Sequence, residues 1–510
     1  MIHVVERGIL MGKRERGLIS KKSIGLLFFL IFLFAWNKVA NMKCQAIYDE
    51  GVEATCTESG YKIIEKQGVV TLEEIPPLGH QFNEWEIDYN SESKKHTCKI
   101  CGYEEIIHLS SIPEETLPRL ELSGSMDGIG RKNRVALKVK YSDSEQSFEC
   151  YGLLTLQGHS TYGLPKKNYT IRFYDDAEGT IKHRVCFRDW NAEHKYILKA
   201  NYMDVSQSRN IVGANIWSSI VQSRNNNPVR LNQIQTKGAV DGFPIAVYFN
   251  GDFFGLYTLN LHKDEDLYMM KKNKQEAIVI CNEQTMEESL FRSEALFLPN
   301  NESDWEIEYC GTADQEWVKD SFNTFITFVM ESGEIEFHDR LHEYLDVDAA
   351  IDYLIFIHAL GLENSGAKDL VMLSYGDQWI PSAYDMDEAF GLDALKPGYR
   401  EPAEFLPQCS EGQWDSGTGS LLWDRLMNAF WEKIRERYHE LREGPISNQS
   451  LLDVFSSYTA QIPESFYDYD WYLYPGRSLR YADMIHQIEQ YIPARMKLLD
   501  EIYLDGEEIP

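Results

Sequence analysis

Positive charge is scarce in this chain: 50 Lys and Arg stand against 80 Asp and Glu, a formal net charge of −30 over 510 residues. So acidic a surface repels phosphate backbones, which argues against nucleic-acid binding, and it attracts metal ions and basic proteins instead. Cysteine is scarce too, and nine of them scattered along the chain do not make a disulfide-dense framework. The sequence holds no internal repeat, no low-complexity tract and no G-x-x-x-x-G-K-[ST] phosphate loop. Nor does it hold an uninterrupted apolar run of the ~20 residues a spanning helix needs. What is present is the composition of a packed globular protein, 43% hydrophobic, 13% aromatic and 25% charged. That length accommodates about two to four domains.

Residues 1–40 read as a targeting segment. Arg7, Lys13, Arg14, Arg16, Lys21 and Lys22 precede the apolar run 24–36, and only Glu6 and Glu15 oppose them. A basic stretch before a short apolar run is the pattern of a signal peptide or signal anchor. The basic flank stays cytoplasmic, so the expectation is a secreted or membrane-anchored protein, touching the membrane through this segment, with its body outside the cytoplasm.

Residues 44–108 read as a small ribbon module. Cys98-Lys99-Ile100-Cys101-Gly102 is a C-x-x-C-G knuckle, a turn that aims two thiolates at one ion. Upstream stand Cys56-Thr57-Glu58-Ser59-Gly60-Tyr61 and Leu78-Gly79-His80. The order resembles the short cysteine-ribbon repeats of bacterial surface proteins, with the first C-x-x-C missing. One zinc site could be built from Cys56, His80, Cys98 and Cys101; the alternative is a degenerate ribbon with an oxidised C-x-x-C. So short a segment buries little apolar surface and calls for some staple.

Residues 109–510 form the main body. Short β-branched or aromatic runs at 135–141, 151–156, 169–174, 196–200, 244–249 and 254–259 predict strands. Asn250-Gly251 marks a hairpin between the last two. One helix is expected at 205–221, with Asp204 or Ser206 as its N-cap. Beyond Gln315, apolar spacing of i, i+3, i+4 predicts helices at 317–331, 341–360, 421–441, 451–462 and 484–503. Strands at 370–375 and 379–383 lie among them. A strand-rich half followed by a helix-rich half is an α+β pattern, read here as two lobes.

Three clusters carry chemistry. Tyr384-Asp385-Met386-Asp387-Glu388-Ala389-Phe390-Gly391 follows an apolar strand. Carboxylates at i, i+2 on extended chain project to one side and can share a hard cation; the alternative is a solvated turn. Gly158-His159-Ser160-Thr161-Tyr162-Gly163-Leu164-Pro165-Lys166-Lys167 is a glycine and hydroxyl loop leading to paired lysines, suited to cradling phosphate, though such lysines also line solvated edges. Leu198-Lys199-Ala200-Asn201-Tyr202-Met203-Asp204-Val205-Ser206-Gln207-Ser208-Arg209-Asn210 ends a strand and starts a helix. Here Arg209 is either a phosphate ligand or the partner of a neighbouring carboxylate.

In this order the clusters resemble the CotH kinase family of spore-coat and surface protein kinases. The chain carries Pro165-Lys166-Lys167-Asn168-Tyr169-Thr170-Ile171-Arg172-Phe173 for P-K-K-x-Y-x-I-x-F, and residues 198–210 for L-x-A-x-x-x-D-x-S-x-x-R-N. Asn250-Gly251 through Gly255, Tyr257 and Leu259 match N-G-x-x-x-G-x-Y-x-L. Trp379 through Asp385, Asp387, Phe390 and Gly391 match W-x-x-x-x-x-D-x-D-x-x-F-G.

The resemblance implies an atypical protein-kinase-like fold of strand-rich N-lobe and helix-rich C-lobe, using ATP with Mg²⁺ or another divalent cation. It implies Lys166, Lys167, Ser160 and Arg209 as ATP contacts, and Asp369, Asp385 and Asp387 as metal ligands. Asp385 and Glu363 are then the catalytic carboxylates, and the substrate is Ser/Thr of a surface or coat protein, basic and Ser-rich. Three positions depart from the family pattern. Asn364 stands where the catalytic-loop aspartate belongs, Asp369 replaces the metal-binding asparagine, and Leu261 replaces a glutamate. The alternative function is therefore a catalytically impaired kinase-like scaffold of the cell surface or spore coat. A glycosyltransferase reading of the D-x-D lacks a surrounding nucleotide-sugar βαβ pattern.

Overall fold

A computed structural model describes residues 53–66, 69–83, 86–88, 93–108, 117–158, 160–282, 290–299, 303–393, 398–474, 477 and 479–505. The targeting segment 1–40 and His159 lie outside the described residues. No described helix is long and apolar enough to cross a membrane. The chain divides into two compact units, Met1–Leu109 and Ser110–Pro510.

The described residues of the first unit form short antiparallel strands. β1 (Gly60–Lys66) pairs with β2 (Val69–Ile75), and β3 (Glu86–Asp88), β4 (Ser93–Thr97) and β5 (Glu104–His108) form a second sheet in that order.

In the second unit, β6 (Arg119–Ser123), β7 (Val135–Ser142), β8 (Ser147–Gln157), β9 (Asn168–Tyr174), β10 (Lys195–Lys199), β11 (Gly242–Phe249) and β12 (Asp252–Asn260) close into a barrel of order β10-β12-β11-β6-β7-β8-β9. Period-2 alternation sends Leu120, Leu122, Leu137, Val139, Tyr196, Leu198, Ile245 and Leu259 inward to one core. Closure comes from β6 pairing in parallel with β11, Arg119 opposite Ala246. The β11–β12 hairpin turns where Asn250 and Gly251 both take positive φ, 52° and 95°, as a two-residue primed turn requires. Between β10 and β11 the chain leaves the barrel for α1 (Arg209–Ser223) and the short α2 (Val229–Gln233).

A second sheet of β13 (Ala277–Cys281), β14 (Trp305–Cys310), β15 (Leu370–Ser374) and β16 (Trp379–Ala383) has the order β14-β13-β15-β16. Between β14 and β15 the chain forms α3 (Glu316–Glu331), α4 (Glu334–Arg340) and α5 (Val347–Leu360), and after β16 it forms α6 (Leu421–Arg442), α7 (Asn448–Thr459), α8 (Glu464–Leu473) and α9 (Tyr481–Tyr503). The small hairpin β17 (Gln408–Ser410) and β18 (Gln413–Asp415) precedes α6. Every residue of α5 but Asp348 is buried, so it is the axis of the larger apolar core.

The α+β class is present, with the strand-rich half closed into a barrel. The helix expected over 341–360 is two pieces, because Asp346 caps α5 by accepting from Ala349 N at 2.9 Å. The helix expected from 205 starts at Arg209. Ser208 is its flanking residue, and Asp204 accepts from the Arg209 amide at 2.9 Å without being the N-cap itself.

Candidate functional site

The β15–β16 hairpin is buried along its full length and pairs Leu370 with Ala383. Asp369 immediately precedes that pair and Asp385 follows it by two residues. One open hairpin end thus presents both carboxylates. Past Ala383 the chain bends sharply, with Asp385 at φ 52° and Phe390 at φ 59°. Non-glycine residues rarely adopt this region, and such strain collects at sites where a side chain must be aimed. The bend is held from α1: Met386 N donates to Asn210 Oδ1 at 2.9 Å. A Cβ on Gly213 would lie 2.9 Å from Met386 Sδ and 3.2 Å from Met386 Cβ, so the glycine sits where α1 and the bend approach closely. Gly391, at φ 81°, is closed to a side chain by Tyr491 and the Arg400 carbonyl, 2.6 and 2.8 Å from an ideal Cβ.

Lys199, the last residue of β10, reaches this bend. Its Nζ lies 2.6 Å from Asp385 Oδ1. Burial alone would lower the Lys199 pKa, but Asp385, Asp387 and Asp369 outweigh it and lift it to about 12. Burial likewise raises Asp385, yet Lys199, Lys263 and Lys368 overcome this and hold it low. Asp387 is pushed up to about 7 by burial and then by Asp385. Asp369 is raised further by burial, Asp385 and Asp387. Neither Asp369 nor Asp387 has a side-chain hydrogen bond or ion pair among the described residues. The three carboxylates do not all draw within 4.8 Å of one another, so this is an open, electronegative site. An all-oxygen donor set with excess negative charge suits a hard divalent cation such as Mg²⁺.

The expected phosphate ligands are engaged with partners inside the protein. Lys166 is fully buried, its Nζ 2.8 Å from Asp470 Oδ1, bonded to the Leu256 carbonyl and 4.6 Å from the Tyr257 ring. Lys167 donates to the Tyr162 carbonyl at 2.7 Å and to the Leu164 carbonyl at 2.5 Å. Ser160 opens the 3₁₀ turn Ser160–Gly163, and its side chain lies outside the described residues. Arg209 is buried against Asp204 Oδ1 at 3.4 Å, Gln487 Oε1 at 2.9 Å and the Ala389 carbonyl, which ties α1 to the strained bend.

Glu363 is half exposed and lies 3.3 Å from Arg400, which also holds Glu388 at 3.0 Å. Asn364 Nδ2 donates to the same Glu388 Oε2 at 2.9 Å. Leu261 is barrel core. Asp264 pairs with Lys195 at 3.3 Å and His262 at 3.2 Å.

The structure thus brings Asp369, Asp385 and Asp387 to one place, and leaves Lys166, Lys167 and Arg209 engaged with internal partners. Sequence reasoning missed Lys199. It stood inside the L-x-A motif, and a lysine ending an otherwise apolar strand was the available signal.

In the first unit, Cys56, His80, Cys98 and Cys101 bring one ligand atom each within 4.8 Å of one another. Cys56 and Cys98 sulfurs are 3.7 Å apart, and Cys101 Sγ is 3.4 Å from His80 Nδ1. Tetrahedral ligands at ~2.3 Å from zinc stand ~3.8 Å apart, so the set has the spacing of a closed site. Cys98 is held down at about 5: burial raises it, and backbone donors at Cys101 and Ile100 with His80 outweigh that. The preformed thiolate is the metal-binding form.

Among curated proteins, none matches the chain. The family described as CotH kinase protein matches residues 154–499, about two thirds of the chain, which takes in β9, Lys199, Asp369 and the D-x-D bend. The chain therefore belongs to the CotH kinase family.

Proposed function

We propose that the protein is an ATP-dependent, kinase-type phosphotransferase acting on Ser/Thr of a surface or coat protein, exported or anchored through residues 1–40. The observation that carries this reading is the pair of unpartnered carboxylates, Asp369 and Asp387, beside the Lys199–Asp385 ion pair at one hairpin end. The order along the chain, a strand lysine, a loop ending in Asp369, the β15–β16 hairpin and then Asp385, parallels the arrangement of a protein kinase and supports this reading. Asp385 and Asp369 would hold Mg²⁺ or another divalent cation, with Asp387 assisting. The cation would neutralise phosphate charge. Lys199 is the ammonium that faces the same space and would share that load. The acidic surface favours a basic, Ser-rich substrate.

A second reading, a binding scaffold without transfer, is favoured by Asn364. An amide cannot act as a base, and this one is spent on Glu388. Glu363 is the adjacent carboxylate, already shared with Arg400. The test is calorimetry of the full chain with ATP and Mg²⁺ or Mn²⁺, beside transfer from γ-labelled ATP to a basic Ser-rich protein. Asp385→Asn should abolish metal-dependent binding with the fold intact. Binding with transfer supports the kinase, binding without transfer the scaffold. No binding by the unaltered chain with any divalent cation overturns both.

A further inference from the structure

A second cluster of donors lies at the other end of β10. Glu193 and His194 immediately precede that strand, and Glu193 bridges back to Val185. Asp266 lies in the loop that follows β12, the barrel neighbour of β10. One donor atom from each of Glu193, His194 and Asp266 falls within 4.8 Å of the others. His194 is five residues from Lys199, which at ~3.3 Å per residue of strand is ~16 Å from the D-x-D site.

Three features show that this cluster lacks something. First, His194 is only 7% exposed and its Nδ1 is buried with no hydrogen-bond partner, and a bare buried polar atom is destabilising. Burial, then Lys182 and Arg184, hold the ring neutral, the form that ligates metal. Second, Glu193 and Asp266 are two carboxylates side by side. Arg184 reaches them only at 3.4 and 3.8 Å, from a side chain that is itself nearly half exposed. Third, Glu193 and Asp266, though not His194, line an adjoining cavity of about 20 Å³ together with Thr236, whose hydroxyl is also buried and unpartnered. That volume suits one water molecule or one ion.

We propose that Glu193, His194 and Asp266 bind one divalent transition-metal ion of the Zn²⁺ or Mn²⁺ class, which fastens the start of β10 to the loop after β12. One imidazole and two carboxylates are a donor set for these ions, as distinct from the all-oxygen set around Asp385. The ion closes the seam on which Lys199 is carried, so it is a structural fastening of the barrel.

The test is zinc per chain by elemental analysis, after the full-length protein is equilibrated with Zn²⁺ and desalted, paired with melting curves with and without Zn²⁺. His194→Gln should hold one zinc fewer than the unaltered chain and lose part of the zinc-dependent rise in melting temperature. Asp266→Asn should do the same; its half-buried side chain makes it the variant to rely on if His194→Gln fails to fold. Cys98→Ser and Asp385→Asn, which alter the other two candidate sites, should leave this zinc in place. Unchanged zinc content in both His194→Gln and Asp266→Asn overturns the proposal, as does a double variant Cys98→Ser/His194→Gln that loses no more zinc than Cys98→Ser alone.

Discussion

Lys166 and Lys199 make opposite predictions when each is replaced by methionine, which keeps most of the side-chain volume and removes the charge. Lys166 Nζ has no exposed surface and is bonded to Asp470 and the Leu256 carbonyl. Burial outweighs the pull of Asp470 and takes its pKa from 10.5 down to about 8, about 3 kcal/mol against the ammonium. Breaking a buried pair by removing one partner costs ~3–5 kcal/mol. Asp470 keeps Arg477 at 3.0 Å and the Leu256 amide at 2.9 Å, so we expect a smaller loss of ~1–3 kcal/mol for Lys166→Met. At ~2–4 °C per kcal/mol in bodies of 150–250 residues, and less in a larger one, the melting temperature falls by a few degrees. ATP affinity of the folded fraction should hardly move. Lys199→Met behaves the other way. Asp385 is 32% exposed and is rehydrated when its partner goes, so losing this pair costs less than losing a fully buried one. ATP·Mg²⁺ affinity should fall by about tenfold or more, ~1.4 kcal/mol. Scanning calorimetry and isothermal titration on the same samples measure both quantities. If Lys166→Met abolishes ATP binding with an unchanged melting point while Lys199→Met binds normally, the assignment of Lys199 to the site is refuted.

Two further outcomes follow from other parts of the molecule. Burial, then Arg495, push His358 down to about 3, and its ring nitrogens are taken by Tyr503 Oη and the Ser416 carbonyl at 2.7 and 2.8 Å. Its folded pKa is below the unfolded value near 6.5, so this stability is fully present above about pH 6.5 and falls by up to ~1.4 kcal/mol per unit toward pH 3. Melting curves of His358→Gln should show a shallower acid limb, and an unchanged limb refutes the assignment. For the ribbon, Cys98→Ser should remove a zinc from the full chain by elemental analysis. Equal zinc in both forms, with the C-x-x-C oxidised, sinks the metal reading.

Local chemistry was legible in the sequence wherever the determinant lay close along the chain. The Asn250-Gly251 turn, the alternation of β7 and the amphipathic α3 and α6 announce themselves by period and turn residue. Barrel closure does not, because it depends on Arg119 meeting Ala246 across more than a hundred residues in parallel register. α8 was invisible for a different reason: Glu-Ser-Phe-Tyr-Asp-Tyr-Asp-Trp-Tyr-Leu is rich in aromatic and Asp residues of weak helix propensity, and packing decides it. The D-x-D bend could be read from strand, carboxylates and glycine in succession. Its pairing with Lys199 could not, since Lys199 and Asp385 meet across 186 residues. Nothing in Pro-Lys-Lys tells which of the two ammonium groups faces inward.

The separation of cation holding from phosphate transfer rests on where the negative charge is spent. On one side of the hairpin end, Asp369 is raised by burial and then by Asp385 and Asp387, and Asp387 by burial and then by Asp385, with Lys199 the one cation in direct contact among the described residues. That excess is what a divalent cation relieves. On the other side, the position of the family's base holds an amide, Asn364, that donates to Glu388, and Arg400 neutralises Glu388 and Glu363 together. This second group is internally satisfied and has no unspent carboxylate to accept a hydroxyl proton until Glu363 is released from Arg400. Glu363 is paired at 3.3 Å and half exposed, so that release costs little, ~1 kcal/mol or less for a surface pair. Turnover on this reading is governed by whether a substrate hydroxyl can draw Glu363 away from Arg400. Cation and nucleotide binding as proposed would use the first group alone and would not depend on that exchange.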